Sequence, residues 1–263
     1  MNPIGVVICN YNKKDFVLQC VQSVLESKEK NFDIYVVDNA SSDGSAEALK
    51  KAYGNRITVI ENKENLGGSG GFNTGLRIVR DKGYSYFMCL DDDAAVDENA
   101  LSVLYHYMEE HTDTGMAGCR VYHTQMSDYI QQSGLLIDFD NCTAKTIGAD
   151  MPEDGSLPDV IECDTVATCA VMVRADTVKQ KGVGIMPEDN FIYWDDMEWG
   201  YRIKLAGYRV VTLAEAKALH QMGANTKKEN TFINYYMWRN RTNFFMRFTP
   251  EAQMEAMSVK VLG

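Results

Sequence analysis

The chain has 263 residues, 45% of them hydrophobic and 24% charged, which is the composition of a globular protein with one large α/β domain or two small ones. Its 37 acidic residues outnumber 26 basic ones, and the formal net charge of -11 argues against a nucleic acid as partner and favours bound cations. Seven scattered cysteines without a C-x-x-C pair argue against a zinc knuckle or a disulfide framework and predict reduced core thiols.

The sequence enters a strand pattern almost at once, without a leader pattern, and no window reaches about 18 continuous apolar residues. We therefore expect a cytoplasmic protein without a membrane span.

Apolar runs alternate with helical patterns through the first part of the chain. The predicted strands are IGVVIC, IYVVD, ITVIE and YFMCL, and the predicted helices between them are FVLQCVQSVLES, SAEALKKAY and FNTGLRIVRDKG. Strands that are apolar on both faces indicate a mostly parallel sheet buried between helix layers. The loops CNYNKKD, DNASSDG, NKENLGGSGG and LDDDAAVDE follow these strands, at the edge where open parallel sheets bind ligands.

The remaining pattern is less regular. The predicted elements are a helix near 99–110, a strand near 115–122, an irregular acidic stretch at 138–159, a strand pair within 160–173, a helix at 175–181 and a closing helix from about 230. We interpret the chain as one domain, with a first half at 1–122, a second half at 123–226 and a C-terminal helical segment at 227–263.

The segment LDDDA places three carboxylates directly after a predicted strand. Alternate side chains of an extended backbone share a face, so Asp91 and Asp93 point together while Asp92 points away. Two converging carboxylates form a hard-oxygen site for Mg²⁺ or Mn²⁺. The alternative is a solvated acidic turn that caps the following helix, but three adjacent like charges repel one another without a cation.

The segment WDDMEWGYR combines acidic residues with two tryptophans. Glu198 and Arg202 have the spacing of a helix salt bridge, and Asp195 or Asp196 at a helix start gains from the helix dipole. Trp194 offers a flat aromatic face to a sugar ring, and a carboxylate beside it can act as a general base on a hydroxyl.

Two further residues keep alternative roles. Asp38 closes a strand, and its carboxylate suits either the N3 proton of uracil or thymine, or the capping of its own loop. His220 follows a short apolar segment, and a lone histidine is more often structural than a metal ligand.

The stretch NLGGSGGFNTG contains neither G-x-G-x-x-G nor a Walker motif, so its glycines predict a tight turn that approaches some other ligand. The late segment KKENTFINYYMWRNRTNFFMRF is basic and aromatic. It can lie on an anionic membrane surface, bind pyrophosphate or pack on the core, and packing is the default. Its basic residues are Lys227, Lys228, Arg239, Arg241 and Arg247.

The motifs VVICNYNKKD, VVDNASSDGS, NLGGSGGFN, CLDDDA and YWDDMEWGYR occur in this order and resemble those of inverting family 2 glycosyltransferases of the GT-A fold. Within that family, NLGGSGG, the DDD triplet, WDD, the late histidine and YYMWRN look like bacterial galactofuranosyltransferases and their rhamnosyltransferase relatives. The resemblance covers about residues 4–248, and the ordered set is more specific than any single motif.

The resemblance implies a role for each motif. The nucleotide-sugar donor contacts Tyr11 and Asp38 through its base, and further contacts come from Asp92 and the 65–71 turn with Asn65, Gly67, Gly68 and Gly71. Asp91, Asp93 and His220 hold the divalent metal, Mn²⁺ or Mg²⁺. Asp196 is the catalytic base, and Trp194 and Asp195 face the acceptor.

The implied activity is transfer of a sugar, from UDP-galactofuranose first and dTDP-rhamnose next, to a glycan or lipid-linked hydroxyl in cell-surface polysaccharide synthesis. Contact with the inner face of the cell membrane would then be peripheral. Related galactofuran polymerases carry additional domains on both sides of the catalytic core, so we do not expect processive polymerisation. The rivals are a sugar-phosphate nucleotidyltransferase, which needs a glycine-rich loop where this chain has CNYNKKD, and a noncatalytic carbohydrate-binding protein.

Overall fold

The computed structural model describes residues 3–221 and 230–262. The described helices are α1 (Lys14–Glu26), α2 (Ser45–Tyr53), α3 (Gly67–Lys82), α4 (Ala100–Glu110), α5 (Asp195–Leu205), α6 (Thr231–Phe248) and α7 (Met254–Leu262). The described strands are β1 (Ile4–Asn10), β2 (Phe32–Asp38), β3 (Thr58–Glu61), β4 (Tyr86–Asp91), β5 (Ala94–Val96), β6 (Thr114–His123), β7 (Met126–Gln132), β8 (Leu135–Asp138), β9 (Thr143–Thr146), β10 (Met151–Pro152), β11 (Val160–Glu162), β12 (Ala170–Arg174) and β13 (Arg209–His220).

Eleven strands form one sheet with the main order β10-β7-β6-β12-β4-β1-β2-β3, and β5, β11 and β13 attach beside this path. The central strands β4, β1, β2 and β3 run parallel. β12 lies antiparallel between β4 and β6, while β13 runs parallel to β6. The predicted mostly parallel sheet with helix layers and a C-terminal helix is confirmed.

The central strands have no polar face, because helices cover both sides of the sheet. Ile8 lies in one apolar cluster with Val21 of α1 and Leu104 of α4. Val7, its neighbour on β1, lies in the opposite cluster with Leu76 of α3. Six of the seven cysteines are buried, as the sequence predicts. This core holds the carboxyl ends of β1, β2, β3 and β4 at one edge.

Several local predictions differ from the structure. The predicted helix at 175–181 is a 3₁₀ turn over Ala175–Lys179. The two strands within 160–173 do not pair with each other, since β11 pairs with β13 and β12 with β4 and β6. The irregular stretch at 138–159 overlaps the β8–β9 hairpin and contains β10. Strands from both predicted halves share one sheet, since β12 pairs with β4, and the division of the chain into domains stays a prediction. No helix among the described residues has the length and apolar character needed to cross a membrane.

Candidate active site

Side chains tie together the loops that follow β1, β2 and β3. Asn10 donates from Nδ2 to Oδ1 of Asp38 at 2.8 Å, and Asn39 donates to Oδ1 of Asn65 at 3.0 Å. Oδ2 of Asp38 accepts the N–H of Ser41 at 3.0 Å. Asp38 therefore stabilises its own loop, which is one of the two roles that the sequence left open. Its contact with a nucleobase stays a prediction.

Asp91, Asp93 and His220 come together at the next strand end. β4 ends at Asp91, and β5 pairs antiparallel with β13 so that His220 lies opposite Ala94. Nε2 of His220 is 3.2 Å from Oδ1 of Asp93 and 3.8 Å from Oδ2 of Asp91. One ligand atom from each residue lies within 4.8 Å of the others. The three residues that were predicted to bind the metal are thus assembled in one group. We call Asp91, Asp93 and His220 the cation cluster.

The chemistry of this cluster fits a divalent cation. Oδ1 of Asp93 is buried and has no hydrogen-bond partner among the described residues. Burial, with a smaller contribution from the charge of Asp93, raises the pKa of Asp91 to about 6 even though His220 lowers it. Ionised carboxylates are costly here without a positive charge. Two carboxylates and an imidazole nitrogen suit Mn²⁺, or Mg²⁺ with added oxygen ligands.

Asp92 faces the loop after β1 and not the cation cluster, as predicted, but it does so from the turn that joins β4 to β5 and not from an extended strand. Its Oδ2 accepts the backbone N–H of Tyr11 at 3.0 Å, and its Oδ1 lies 3.0 Å from Nζ of Lys13. The same Nζ is 2.6 Å from Oδ2 of Asp93. Burial alone lowers the pKa of Lys13, but the two carboxylates raise it well above its ordinary value. Lys13 therefore stays charged beside the cluster.

Asp195 and Asp196 begin α5 and face different surroundings. Oδ2 of Asp195 accepts a hydrogen bond from Oγ of Ser69 at 2.9 Å, which links α5 to the start of α3. Asp196 is less buried, and burial followed by the charge of Asp195 raises its pKa to about 7. The charge of Asp91 also contributes, so Asp196 lies within electrostatic reach of the cation cluster. A carboxylate with this pKa can accept a proton near neutral pH.

The loop before α5 has an unusual backbone. Three non-glycine residues in a stretch of four have φ of 64°: Phe191, Tyr193 and Trp194. Such conformations cost on the order of 1 to 3 kcal/mol each and persist only when the surroundings hold them. Asn240 of α6 supplies that support, because its buried Nδ2 lies 2.8 Å from three carbonyl oxygens of the loop, which share its two N–H groups. The carbonyls belong to Asn190, Ile192 and Tyr193.

Glu198 joins α5 to α6. It is fully buried and pairs with Arg202, which confirms the predicted salt bridge. Arg247 of α6 reaches the same carboxylate at 2.8 Å and also pairs with Asp189. Arg239 donates to the carbonyl of Asn190 at 3.0 Å. These arginines hold the loop before α5, which agrees with the packing default for this segment, and pyrophosphate binding stays an untested alternative.

The glycine-rich stretch is the beginning of a helix and not a turn, because α3 starts at Gly67. Gly67 has φ of 74°, and a Cβ there would lie 2.2 Å from the carbonyl oxygen of Phe191. A Cβ on Gly71 would lie 2.4 Å from Sγ of Cys9. Internal packing therefore requires glycine at both positions. Among the three glycines predicted to contact the donor, only Gly68 has room for a side chain. A Cβ there would lie 3.6 Å from Oδ2 of Asp195.

We expect Gly71→Ala to lower the free energy of unfolding by about 1 to 3 kcal/mol through overpacking against Cys9. Gly68→Ala is the matched variant in the same helix, and it should leave stability unchanged or slightly higher. Urea denaturation measures both. If the donor passes over Gly68, this variant will bind nucleotide-sugar more weakly at normal stability, whereas normal binding would remove Gly68 from the donor contacts.

Trp194 is placed differently from the prediction. Its ring is buried against Phe244 and Phe245 of α6, with centroid distances of 5.4 and 5.7 Å, so its faces are not open to a sugar. The apolar driving force of an aromatic cluster explains this burial. Tyr193, the preceding residue, is half-buried. Burial raises the pKa of its hydroxyl, and the charge of nearby Lys13 lowers it. The ring of Tyr193 is therefore less enclosed than that of Trp194.

The packing default for the late basic segment holds for part of it. Phe244 and Phe245 are buried, whereas Phe232, Tyr235, Met237 and Trp238 are between 41 and 57% exposed. Lys227 and Lys228 lie outside the described residues. The sequence did not single out Lys13, Gln131, Tyr193 or Asn240 as site residues. Lys13 could have been found from its position in the loop after the first strand. The other residues reach the site through contacts between distant parts of the chain, which the sequence does not show.

The fold is of the GT-A type, which solved structures of known proteins share. Residues 5–169 match Glycosyl transferase family 2, and the chain belongs to this family. The motifs that suggested an inverting enzyme of this family are therefore confirmed at the level of the family.

Relatives match parts of the chain. Teichoic acid poly(glycerol phosphate) polymerase of Staphylococcus epidermidis is 26% identical over 146 residues, which are 54% of this chain and 19% of the polymerase. The Escherichia coli UDP-Glc:alpha-D-GlcNAc-diphosphoundecaprenol beta-1,3-glucosyltransferase WfaP is 30% identical over 109 residues, 41% of this chain and 42% of WfaP. The chain thus matches less than half the length of either relative.

Solved structures share the fold. Staphylococcus aureus TarS 1-349 in complex with UDP-GlcNAc has a TM-score of 0.65 at 14% identity, covering 98% of this chain and 71% of TarS 1-349. The mannosyltransferase PcManGT from Pyrobaculum calidifontis, in complex with GDP-Man and Mn²⁺, has a TM-score of 0.65 at 15% identity, covering 98% of this chain and 69% of PcManGT. At such identities the likeness shows the fold alone.

Proposed function

We propose that the chain is a metal-dependent inverting glycosyltransferase that moves a sugar from a nucleotide-diphospho-sugar to a hydroxyl of a glycan or lipid-linked acceptor. The observation that carries this proposal is the meeting of two acidic sites at one sheet edge. Asp91, Asp93 and His220 form a cluster that fits a cation, and Asp196, with a pKa of about 7, lies within electrostatic reach. A displacement at an anomeric carbon needs both a site for the diphosphate and a base.

In this mechanism Asp196 accepts the proton of the acceptor hydroxyl. The acceptor oxygen bonds to the anomeric carbon while the bond from that carbon to the diphosphate oxygen breaks, and the nucleoside diphosphate leaves with the electron pair. This single displacement inverts the anomeric centre. Asp91, Asp93 and His220 would hold a divalent cation, which would supply positive charge to the diphosphate. Lys13, charged and 2.6 Å from Asp93, adds a second positive group there.

We favour a uridine donor, with UDP-galactofuranose before dTDP-rhamnose. WfaP is named for a UDP-Glc donor, and TarS 1-349 was crystallised with UDP-GlcNAc. The motif resemblance to galactofuranosyltransferases and rhamnosyltransferases supports these two sugars. Asp38 and Tyr11 are the residues proposed to meet the base.

Release of nucleoside diphosphate from a panel of sugar nucleotides, with Mn²⁺ and with a chelator, tests this function. We expect slow, Mn²⁺-dependent release from one uridine donor, accelerated when glycan or polyprenyl-diphosphate-linked acceptors are added. If no donor is turned over and no nucleotide raises the melting temperature in the presence of Mn²⁺, the enzyme proposal fails and a noncatalytic role replaces it.

We further propose that α6 contacts the inner face of the cell membrane, where a lipid-linked acceptor would reside. Phe232, Tyr235, Met237 and Trp238 are exposed, and Arg241 is the arginine of this helix that does not hold the loop before α5. The guanidinium of Arg241 stacks 4.2 Å from the ring of Trp238. Exposed aromatic and basic groups together suit the interface of an anionic bilayer.

Sedimentation with lipid vesicles checks this surface. We expect binding to phosphatidylglycerol vesicles that weakens with salt and is much weaker for phosphatidylcholine. Trp238→Ser should reduce the bound fraction, while Leu205→Ser, which removes an exposed apolar side chain at the end of α5, should not. Equal binding of both variants, or no binding of the wild type to anionic vesicles, would refute the membrane contact.

A further inference from the structure

Gln131 on β7 makes two hydrogen bonds to a single residue, His220. Its side-chain Oε1 lies 2.7 Å from Nδ1 of the imidazole, and its side-chain Nε2 lies 3.2 Å from the backbone oxygen of the same histidine. Gln131 is buried, and the imidazole is enclosed between this amide and the two aspartates of the cation cluster.

The contact with the backbone oxygen fixes the orientation of the Gln131 amide, and this orientation fixes which atom carries the hydrogen in the contact with Nδ1. A backbone carbonyl can only accept a hydrogen bond, so the NH₂ group of the Gln131 amide must face it. The amide oxygen must then face Nδ1 of His220, and because that oxygen can only accept, Nδ1 carries the hydrogen. A neutral imidazole has one N–H, so Nε2 of His220 is left with a lone pair.

The bare Nε2 points to the cation cluster, 3.2 Å from Oδ1 of Asp93 and 3.8 Å from Oδ2 of Asp91. A lone pair that faces two carboxylate oxygens is favourable only with a positive charge between them, which a proton on Nε2 or a divalent cation in its place would supply. The buried Oδ1 of Asp93, which has no hydrogen-bond partner among the described residues, faces the same place.

We infer that Gln131 is a positioning residue, which fixes the tautomer of His220 so that Nε2 is available to a divalent cation. This inference rests on the proposed metal-dependent function and adds to it a residue that touches neither the cation nor the substrate. Partners of this kind hold the ring orientation of a ligand, and their loss costs about 10- to 100-fold in metal affinity.

The chain offers a matched control at the next position. Gln132 has the same side chain on the same strand, but its amide donates to Sγ of Cys169 at 3.3 Å and not to a residue of the cation cluster. Methionine resembles glutamine in size and lacks both hydrogen-bonding groups of the amide. Gln131→Met and Gln132→Met therefore remove equivalent groups, and only the first should affect His220.

The experiment measures Mn²⁺ binding by electron paramagnetic resonance of the free ion, with and without UDP, in the wild type and in Gln131→Met, Gln132→Met and His220→Ala. We expect affinity about 10- to 100-fold weaker in Gln131→Met and unchanged in Gln132→Met. The ring ¹⁵N shifts of His220, recorded at a pH where the imidazole is neutral, should show the Nδ1–H tautomer in the wild type and its loss in Gln131→Met. Gln131→Glu keeps an acceptor for Nδ1 and should retain the tautomer.

The outcomes separate this inference from the function on which it rests. If His220→Ala weakens Mn²⁺ binding but Gln131→Met binds like the wild type, the positioning role of Gln131 is wrong and the metal site stands. Retention of the Nδ1–H tautomer in Gln131→Met also overturns the inference. If the wild type binds no Mn²⁺ with or without UDP, the metal site itself fails and Gln131 has no ligand to position. Should Gln131→Met not fold, loss of the tautomer in Gln131→Glu would decide against the inference.

Discussion

Asp196→Asn should lower the rate of sugar transfer by about 10²- to 10⁴-fold, which is the range that a positioned general base contributes. The amide has nearly the shape of the carboxylate but cannot accept the acceptor proton. Donor binding should stay close to normal, because the cation cluster is intact. Nucleoside diphosphate release with acceptor present measures the first quantity, and the shift in melting temperature on adding UDP and Mn²⁺ measures the second.

Asp195→Asn is the control for this prediction. Asp195 already accepts a hydrogen bond from Ser69 at 2.9 Å, and the amide oxygen of asparagine can accept it too, so we expect a smaller loss of transfer. Equal losses in both variants would contradict the assignment of the base to Asp196.

The same residue predicts the pH dependence of the wild type. Burial, followed by the charge of Asp195, raises the pKa of Asp196 to about 7. Only the ionised carboxylate can take a proton, so transfer should rise as the pH increases through about 7. Because the folded-state pKa lies above the unfolded value of about 4, the stabilising contribution of protonated Asp196 is lost as the pH rises from about 4 to about 7. Asp196→Asn should therefore melt higher than the wild type at pH about 8 and nearly equal to it at pH about 4.

Asp93→Asn should weaken Mn²⁺ binding on the order of 100-fold or more, because even the loss of a residue behind a ligand costs 10- to 100-fold. Asp93 contributes the buried Oδ1 without a hydrogen-bond partner in the described part of the chain, as well as the contact with Lys13. UDP binding should lose its Mn²⁺ dependence in parallel. Isothermal titration with Mn²⁺, with UDP and with both measures these effects.

Asp128→Asn is the matched control, since it removes a carboxylate from an exposed position on β7. It lowers the net negative charge of the protein by the same amount and should leave Mn²⁺ binding unchanged. An Mn²⁺ titration of Asp93→Asn that matches that of Asp128→Asn would show that the cation does not bind at this cluster.

Sequence patterns reveal the parts of this site that depend on local geometry. Alternation along an extended chain predicts Asp91 and Asp93 together and Asp92 away, and the structure has this placement, although Asp92 and Asp93 lie in the turn between β4 and β5. Consecutive apolar residues such as Val7 and Ile8 predict that β1 is buried on both faces, and both residues are buried. The spacing of apolar residues and the ends of strands depend on residues close together in the chain, so they can be predicted without knowledge of the fold.

Long-range pairing accounts for most of what the sequence does not reveal. His220 reaches Asp93 only because β13 pairs with β5, and its partner Gln131 comes from a third strand. Asn240 supports a loop about 50 residues away in the chain. The glycine-rich stretch was predicted as a turn since glycine favours one locally, but close packing of Gly71 on Cys9 explains the same residues within a helix.

The position of β12 has a consequence for biosynthesis. β6 does not touch β4 directly, because β12 (Ala170–Arg174) occupies the place between them. When a ribosome has released only residues 1–122, β4 still has an unpaired edge and β6 has no neighbour through which to join the sheet. The first half of the chain must therefore wait for about 50 more residues of translation, with an open strand edge that other chains can join in the meantime.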